Sequence, residues 1–284
     1  MIPPVVRADS LAELGNIVLA DVRWYLDGSD GKAAYEAGHL PGATWVDLER
    51  DLSRHDLPAN EGRHPLPSPA AFAAAMGAIG IGDDTLVVAY DDSGGVTAGR
   101  LVVMLRMLGR SAALLDGGLG AWIADGRPIA VGAAPLVPNP ATFTPIDWPT
   151  QRLASADEAA KHAATGGAVL DARAHARFTG EQSLIDPRAG HIPGARNSPW
   201  AKLQGPDGRL LEISQLRQHF QRLGADTDDA AVAYCGSGVS ACLNIIAMEH
   251  VGLTPPRLFV GSWSGWAADA SRPVELGESL EEKA

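Results

Sequence analysis

Short apolar runs alternate along this chain with segments whose apolar residues recur at helical spacing. In the first half, IVLAD at 17–21, ATWVD at 43–47, LVVAY at 86–90 and AALLD at 112–116 read as strands. Segments 68–79 and 97–108 carry the 3.6-residue period of helices. The second half runs the same way, with strands at 168–171, 195–198, 230–234 and 257–260. This alternation predicts an α/β fold built of mainly parallel sheets flanked by helices on both faces. Right-handed crossovers in such sheets put ligands beyond the carboxyl ends of the strands.

The two halves also match in detail. AGHLPGATWVDL returns as AGHIPGARNSPW, TLVVAYDDSGGVTAGRL as AAVAYCGSGVSACL, and GGLGAWIADGRPI as GSWSGWAADASRPV. His39 and His191 stand 152 residues apart, whereas Tyr90 and Tyr234, like Trp122 and Trp266, stand 144 apart. Four blocks in one order imply two homologous domains, the first with a longer segment that includes ERDLSRHDLPANEGRHPLPS. The expected organisation is a first domain at 1–130, a proline-rich linker at 131–150 and a second domain at 151–284.

Cys235 ends the apolar run AAVAY and opens the loop CGSGVSA, after which a helix is expected near Val239. In such a strand-to-helix loop the amides of Gly236, Gly238, Val239 and Ser240 turn inward, and the helix N-terminus adds its dipole. The nest favours a thiolate and suits a persulfide or the oxyanions of a sulfur donor. Two glycines permit the backbone angles this requires. The bland reading of a lone cysteine is a small apolar residue ending a strand, and Cys242, two helical turns on, is read that way. The first copy carries Asp91 at the cysteine's position in a loop one residue longer. A carboxylate cannot take up sulfur as a persulfide, so the first domain is expected to be catalytically inactive.

Composition narrows the partners. With 46% hydrophobic and 20% charged residues the chain is that of an ordinary globular protein, and its net charge of −11 argues against nucleic acid or an anionic membrane as partner. The N-terminal MIPPVVRADSLAEL reads as neither a signal nor a transit peptide, and no window approaches 18 consecutive apolar residues. Two cysteines make no disulfide framework, so the cytoplasm is the expected compartment. No Cys/His spacing suggests zinc and no phosphate-loop motif appears; no cofactor and no metal are expected.

GHLPGA with GHIPGA, the cysteine loop, the GSWSGW block and a first copy lacking cysteine together resemble the tandem rhodanese-type sulfurtransferases, over essentially the whole chain. The loop CGSGV-[ST]-A is similar to those of the 3-mercaptopyruvate branch. Thiosulfate-preferring members tend to have cationic residues after the cysteine, where this chain has Gly236 and Ser237. The resemblance implies two tandem rhodanese-like domains and a sulfur relay: Cys235 takes a sulfane sulfur from a small-molecule donor, releasing pyruvate from 3-mercaptopyruvate, and passes it to a thiol, thioredoxin or cyanide. The alternative is thiosulfate:cyanide sulfurtransferase by the same persulfide. The ARF and DPRAGHIPG motifs imply Arg177 and Arg188 as carboxylate binders, a role suited to the guanidinium fork. The resemblance also implies a relay of Ser237, His64 and Glu49; the branch usually has Asp at the last position, and Asp47 or Asp51 could substitute.

Other residues take plainer readings. His39, His191, Asp21 and Asp171 recur in both copies, including the one without cysteine, so they are expected to be structural, the histidines bonding to backbone. Trp122 and Trp266 read as packing residues, and the acidic tail ELGESLEEKA as a solvated end. A cysteine-dependent phosphatase needs an arginine after five intervening residues, where this chain has Ala241. A non-enzymatic sulfur-carrier or regulatory domain is a third reading, one that an intact active-copy loop disfavours.

Overall fold

The computed structural model describes residues 2–133, 140–183, 185–227 and 229–278. Residues 134–139 of the expected linker and 279–284 of the acidic tail lie outside the described residues. The chain divides into two compact units. The first comprises Met1–Arg54, Leu66–Pro149 and Gln204–Leu210; the second comprises His55–Pro65, Thr150–Leu203 and Leu211–Ala284.

In the first unit the elements run β1 (Val5–Val6), β2 (Ile17–Asp21), α1 (Gly31–Ala37), β3 (Thr44–Trp45), α2 (Leu48–Asp51), α3 (Pro69–Ala78), β4 (Leu86–Tyr90), α4 (Ala98–Met107), β5 (Ala112–Leu115) and α5 (Gly118–Ala124). Among the described residues they make a five-stranded sheet in the order β1-β5-β4-β2-β3, with every pairing parallel. Val88, Tyr90, Ala113 and Leu115 share one buried cluster with Tyr35 of α1 and Leu119 of α5. The pleat sends their neighbours to the opposite face, where α4 packs on β4 and β5. Every residue of α4 is buried, which explains an apolar pattern that nearly encircles it.

The second unit repeats the plan with α6 (Ala156–Ala164), β6 (Val169–Asp171), α7 (His175–Thr179), β7 (Arg196–Asn197), α8 (Ile213–Arg222), β8 (Val232–Tyr234), α9 (Ala241–His250), β9 (Arg257–Leu258) and α10 (Ser262–Ala268). Its parallel sheet has the order β7-β6-β8-β9. A single parallel bridge from Leu153 to Leu258 takes the edge place that β1 fills in the first unit. Val169, Val232, Tyr234, Phe178, Trp263 and Trp266 anchor the core on one face, and α9 covers β8 and β9 on the other. The expected strands are present, several of them trimmed at the ends, as element boundaries commonly are. The two-residue β1 was not predicted, because VV in a polar, proline-flanked context carries no periodicity.

The repeated residues do the same work in each unit. Arg23 Nε and Nη2 bond Asp21 at 3.0 and 2.9 Å, and Arg173 chelates Asp171 at 3.0 and 2.6 Å. Each arginine also donates to a loop carbonyl, that of Gly38 or Gly190. His39 Nδ1 meets Tyr35 O at 2.8 Å and His191 Nδ1 meets Phe178 O at 2.9 Å, each imidazole stacked on the ring of that same residue. Burial holds the His191 pKa below its ordinary value. The Trp122 and Trp266 indoles donate to Pro128 O and Pro273 O, both at 2.8 Å. Among the described residues no helix is long and apolar enough to cross a membrane.

Candidate active site

Cys235 follows β8, a central strand of the second sheet, at its carboxyl end. The helix beyond it begins at Ala241, two residues later than expected, with Ser240 as its N-cap. Between them Gly238 takes φ +75°, a left-handed turn that a side chain would resist. The carbonyls of Gly238, Val239 and Ser240 are spent on α9, accepting from Cys242 Sγ, Cys242 N and Leu243 N. Cys242 itself is fully buried in α9. The Cys242 and Leu243 amides are thus paired within the turn, and the amides of Ser240 and Ala241 precede them at the start of α9. The Ser237 amide donates to Cys235 Sγ at 3.5 Å. The sulfur is nearly enclosed, Cys235 being 2% exposed.

The first unit displays what such a loop holds. Asp91 is fully buried. Its carboxylate accepts from the amides of Ser93, Gly95, Thr97 and Ala98 at 2.7–2.9 Å, and from the Thr97 hydroxyl at 2.9 Å. The nest there is filled by an anion from its own chain. Thr97 and Ala98 correspond in the repeat to Ser240 and Ala241, so the same amide pair stands at the start of α9 in the copy that carries sulfur.

Segment 55–65 belongs to the second unit and brings two side chains to the cysteine loop. His64 Nδ1 lies 2.8 Å from Ser237 Oγ, and both residues are buried. Arg63 Nη1 donates to Asp186 Oδ1 at 2.6 Å, while Arg177 Nη2 donates to Asp186 Oδ2 at 2.5 Å. Burial would raise the Asp186 pKa, but the two guanidinium groups outweigh it and hold the carboxyl below its ordinary value. A Cβ placed on Gly236 would lie 2.9 Å from Arg63 Nη2 and 3.1 Å from Arg177 Nη2. Two cations therefore face the residue after the cysteine, although the loop itself carries none.

Arg188 and Glu49 have partners of their own. Arg188 directs its guanidinium to four backbone carbonyls, those of Ala267, Arg272, Trp266 and Asp269, at 2.7–3.1 Å. Those contacts cap the C-terminal end of α10 and hold the segment after it. Glu49 belongs to the first unit, where its Oε1 accepts from the Trp24 indole at 2.8 Å. Of its possible substitutes, Asp47 caps α2 through Glu49 N and Arg50 N, and Asp51 is chelated by Arg50. Arg63 and Asp186 were not singled out from the sequence. Arg63 adjoins His64 in EGRHPLPS, and that adjacency was the available signal; nothing local marks Asp186 as a buried anchor. Among the described residues no three His, Cys, Asp or Glu side chains gather as a metal-binding group.

Known proteins resemble this chain over most of its length. The chain matches the rhodanese-like domain twice, at residues 6–125 and 155–269. It is 43% identical over 268 residues to a Pseudomonas aeruginosa protein named "Probable 3-mercaptopyruvate sulfurtransferase", covering 93% of each chain. It is 41% identical over 264 residues to "Putative thiosulfate sulfurtransferase SseB" of Mycobacterium tuberculosis, covering 92% of this chain and 91% of the relative. The crystal structure of SseA from Escherichia coli, a 3-mercaptopyruvate sulfotransferase, superposes with a TM-score of 0.80 at 30% identity, covering 92% of this chain and 99% of that one.

Proposed function

The chain belongs to the rhodanese-like family, and on that premise we propose that it is a sulfurtransferase that moves a sulfane sulfur from 3-mercaptopyruvate through a Cys235 persulfide to a thiol, thioredoxin or cyanide. The single observation that carries the reading is the double use of Ser237. Its amide donates to Cys235 Sγ while its hydroxyl pairs with His64. One residue thus supports the nucleophile and links it to a group able to move a proton.

The chemistry follows from these positions. The Cys235 thiolate attacks the sulfur of the donor thiol and a new S–S bond forms. The donor C–S bond breaks, and its electron pair leaves on carbon as pyruvate enolate. The thiol proton stays on the persulfide or passes through Ser237 to His64, and the enolate takes a proton to give pyruvate. The outer sulfur is then attacked by the acceptor, the S–S bond breaks and the Cys235 thiolate returns. The amides of Ser237 and of the start of α9 stabilise the charged sulfur throughout, as the equivalent amides stabilise the Asp91 carboxylate.

Donor preference rests on the two arginines. Arg177 and Arg63 together, offset by Asp186, leave one net positive charge beside Gly236. That balance suits the single carboxylate of a mercapto-acid better than a dianion. The proposal assigns Arg188 to capping α10 rather than to substrate.

The deciding experiment compares kcat/KM for 3-mercaptopyruvate and thiosulfate on the purified full chain, with Cys235→Ser as control. Higher kcat/KM for 3-mercaptopyruvate, lost in the variant, is expected. A large margin in favour of thiosulfate would replace the donor, and turnover that survives Cys235→Ser would remove the mechanism.

A further inference from the structure

Among the described residues Ser262 is the one non-glycine residue with a positive φ, +52°. It is fully buried at the first position of α10. A side chain in left-handed backbone is unfavourable, and such strain persists where the surroundings impose it, often at functional sites. The repeat shows that the fold does not need a side chain here. In the first copy the equivalent residue is Gly118, with φ +53°, where an added Cβ would collide with Asp91 O. Glycine accompanies the copy that carries aspartate, and serine accompanies the copy that carries the nucleophile.

The serine hydroxyl has two partners. It donates to Phe259 O at 2.9 Å and accepts from the amide of Cys235 at 3.2 Å. The next two residues continue the grip: Trp263 N donates to Cys235 O at 2.9 Å and Ser264 N to Gly236 O at 3.0 Å. In the first unit Leu119 N makes the equivalent bond to Asp91 O at 2.9 Å, so that part of the grip belongs to the fold. What the active copy adds is the hydroxyl on the nucleophile's own N–H.

We propose that Ser262 is a positioning residue for Cys235. Its hydroxyl, carried on a strained backbone, fixes the peptide before the cysteine so that Sγ stays on the Ser237 amide before and after it takes up sulfur. With the amide and carbonyl of Cys235 both held, the direction of its Cα–Cβ bond is set and the sulfur keeps only its side-chain torsion. A loop free to rock about residue 235 would draw the sulfur off the nest.

The inference rests on Cys235 being the nucleophile, and the test separates the two ideas. Ser262→Gly removes the hydroxyl and relieves the strain; Ser262→Ala removes the hydroxyl without adding glycine's freedom. For each, the rate of Cys235 alkylation by iodoacetamide is measured across pH, with Tm, with kcat and KM on 3-mercaptopyruvate, and with the mass of the persulfide formed. The expected result for Ser262→Gly is an unchanged or higher Tm, alkylation and kcat both about tenfold slower, and KM within twofold of wild type. Ser262→Ala is expected to show the same slowing with a lower Tm. Alkylation at the wild-type rate in Ser262→Gly would overturn the proposal, as would slowing confined to the glycine variant, which would assign the effect to backbone freedom. If the wild-type chain alkylates at Cys235 but forms no persulfide, the proposed activity falls, while the alkylation rates of the variants still decide the role of Ser262.

Discussion

His64 Nδ1 and Ser237 Oγ lie 2.8 Å apart across 173 residues of sequence. The contact joins a segment that precedes α3 to the loop that precedes α9, inside one unit. A buried imidazole meets a buried hydroxyl whose residue also donates its amide to the cysteine sulfur.

Ser237→Ala is expected to lower kcat on 3-mercaptopyruvate by about 10²-fold, the scale of one general acid–base contribution. It keeps the amide that faces Sγ, so alkylation of Cys235 by iodoacetamide should stay within about twofold of wild type. Steady-state kinetics beside alkylation rates make the check. Equal losses in both would mean that the hydroxyl supports structure and not proton transfer.

Gly236→Ala should fold normally, because the atoms that an added methyl meets are the mobile ends of Arg63 and Arg177. It should nonetheless push those guanidinium groups aside and raise KM for 3-mercaptopyruvate. Arg63→Gln should do the same, by about tenfold, the loss of one charge-assisted hydrogen bond. Alkylation by iodoacetate relative to neutral iodoacetamide is an independent readout, and both variants should lower that ratio. An unchanged ratio in Arg63→Gln would remove the arginine from anion binding.

Arg188→Ala is expected to cost about 3 kcal/mol of stability by freeing carbonyls at the end of α10, with KM for 3-mercaptopyruvate unchanged. Thermal unfolding and KM are measured on the same preparation. A raised KM at unchanged stability would return Arg188 to the substrate.

Asp91→Ala should destabilise the first unit by about 3–5 kcal/mol, since it strands three buried amides, one half-buried amide and a hydroxyl that share one acceptor. Denaturant unfolding reads this directly. A loss below about 1 kcal/mol would show that the loop does not depend on its anion.

His219 supplies a pH dependence. Burial, then Arg222 and Lys202, depress its pKa to about 4, and Ser198 Oγ, which donates to Asn244 Oδ1 at 2.6 Å, lies 2.9 Å from its Nε2. The unfolded chain binds the proton first, near pH 6.5, so this stability is complete above that value and is lost as pH falls towards 4. The loss should be on the order of 3 kcal/mol, taking ~1.4 kcal/mol per pKa unit. Unfolding curves from pH 7 to pH 4 should steepen in wild type and flatten in His219→Gln; identical pH profiles would refute the assignment.

Much of the fold was legible because its signals are local. The runs at 17–21 and 86–90 appear as β2 and β4 without a shifted end, since interior strands of a parallel sheet write a nearly unbroken apolar run. The GH[LI]PGA blocks told structural histidines from candidate catalytic ones, because a residue kept where the cysteine is absent serves the fold. Where the repeat was silent the reading weakened. Arg188 sits in a motif that suggested substrate, yet four carbonyls at a helix end claim its guanidinium, and those carbonyls lie some eighty residues on in the sequence.

By itself the sequence determined the two α/β units, the strand-to-helix loop and the cysteine at its mouth, because periodicity, glycine and repetition act over neighbouring residues. Only the tertiary structure decided which distant side chains share that loop. Arg63 with His64, Arg177 with Asp186, and Ser262 come from three separate segments, and their meeting depends on how the helices and loops pack around one sheet. Packing is a property of the whole unit: it set Arg63 beside Gly236, turned Arg188 away to a helix end, and imposed on Ser262 a backbone angle that no local rule for serine would choose.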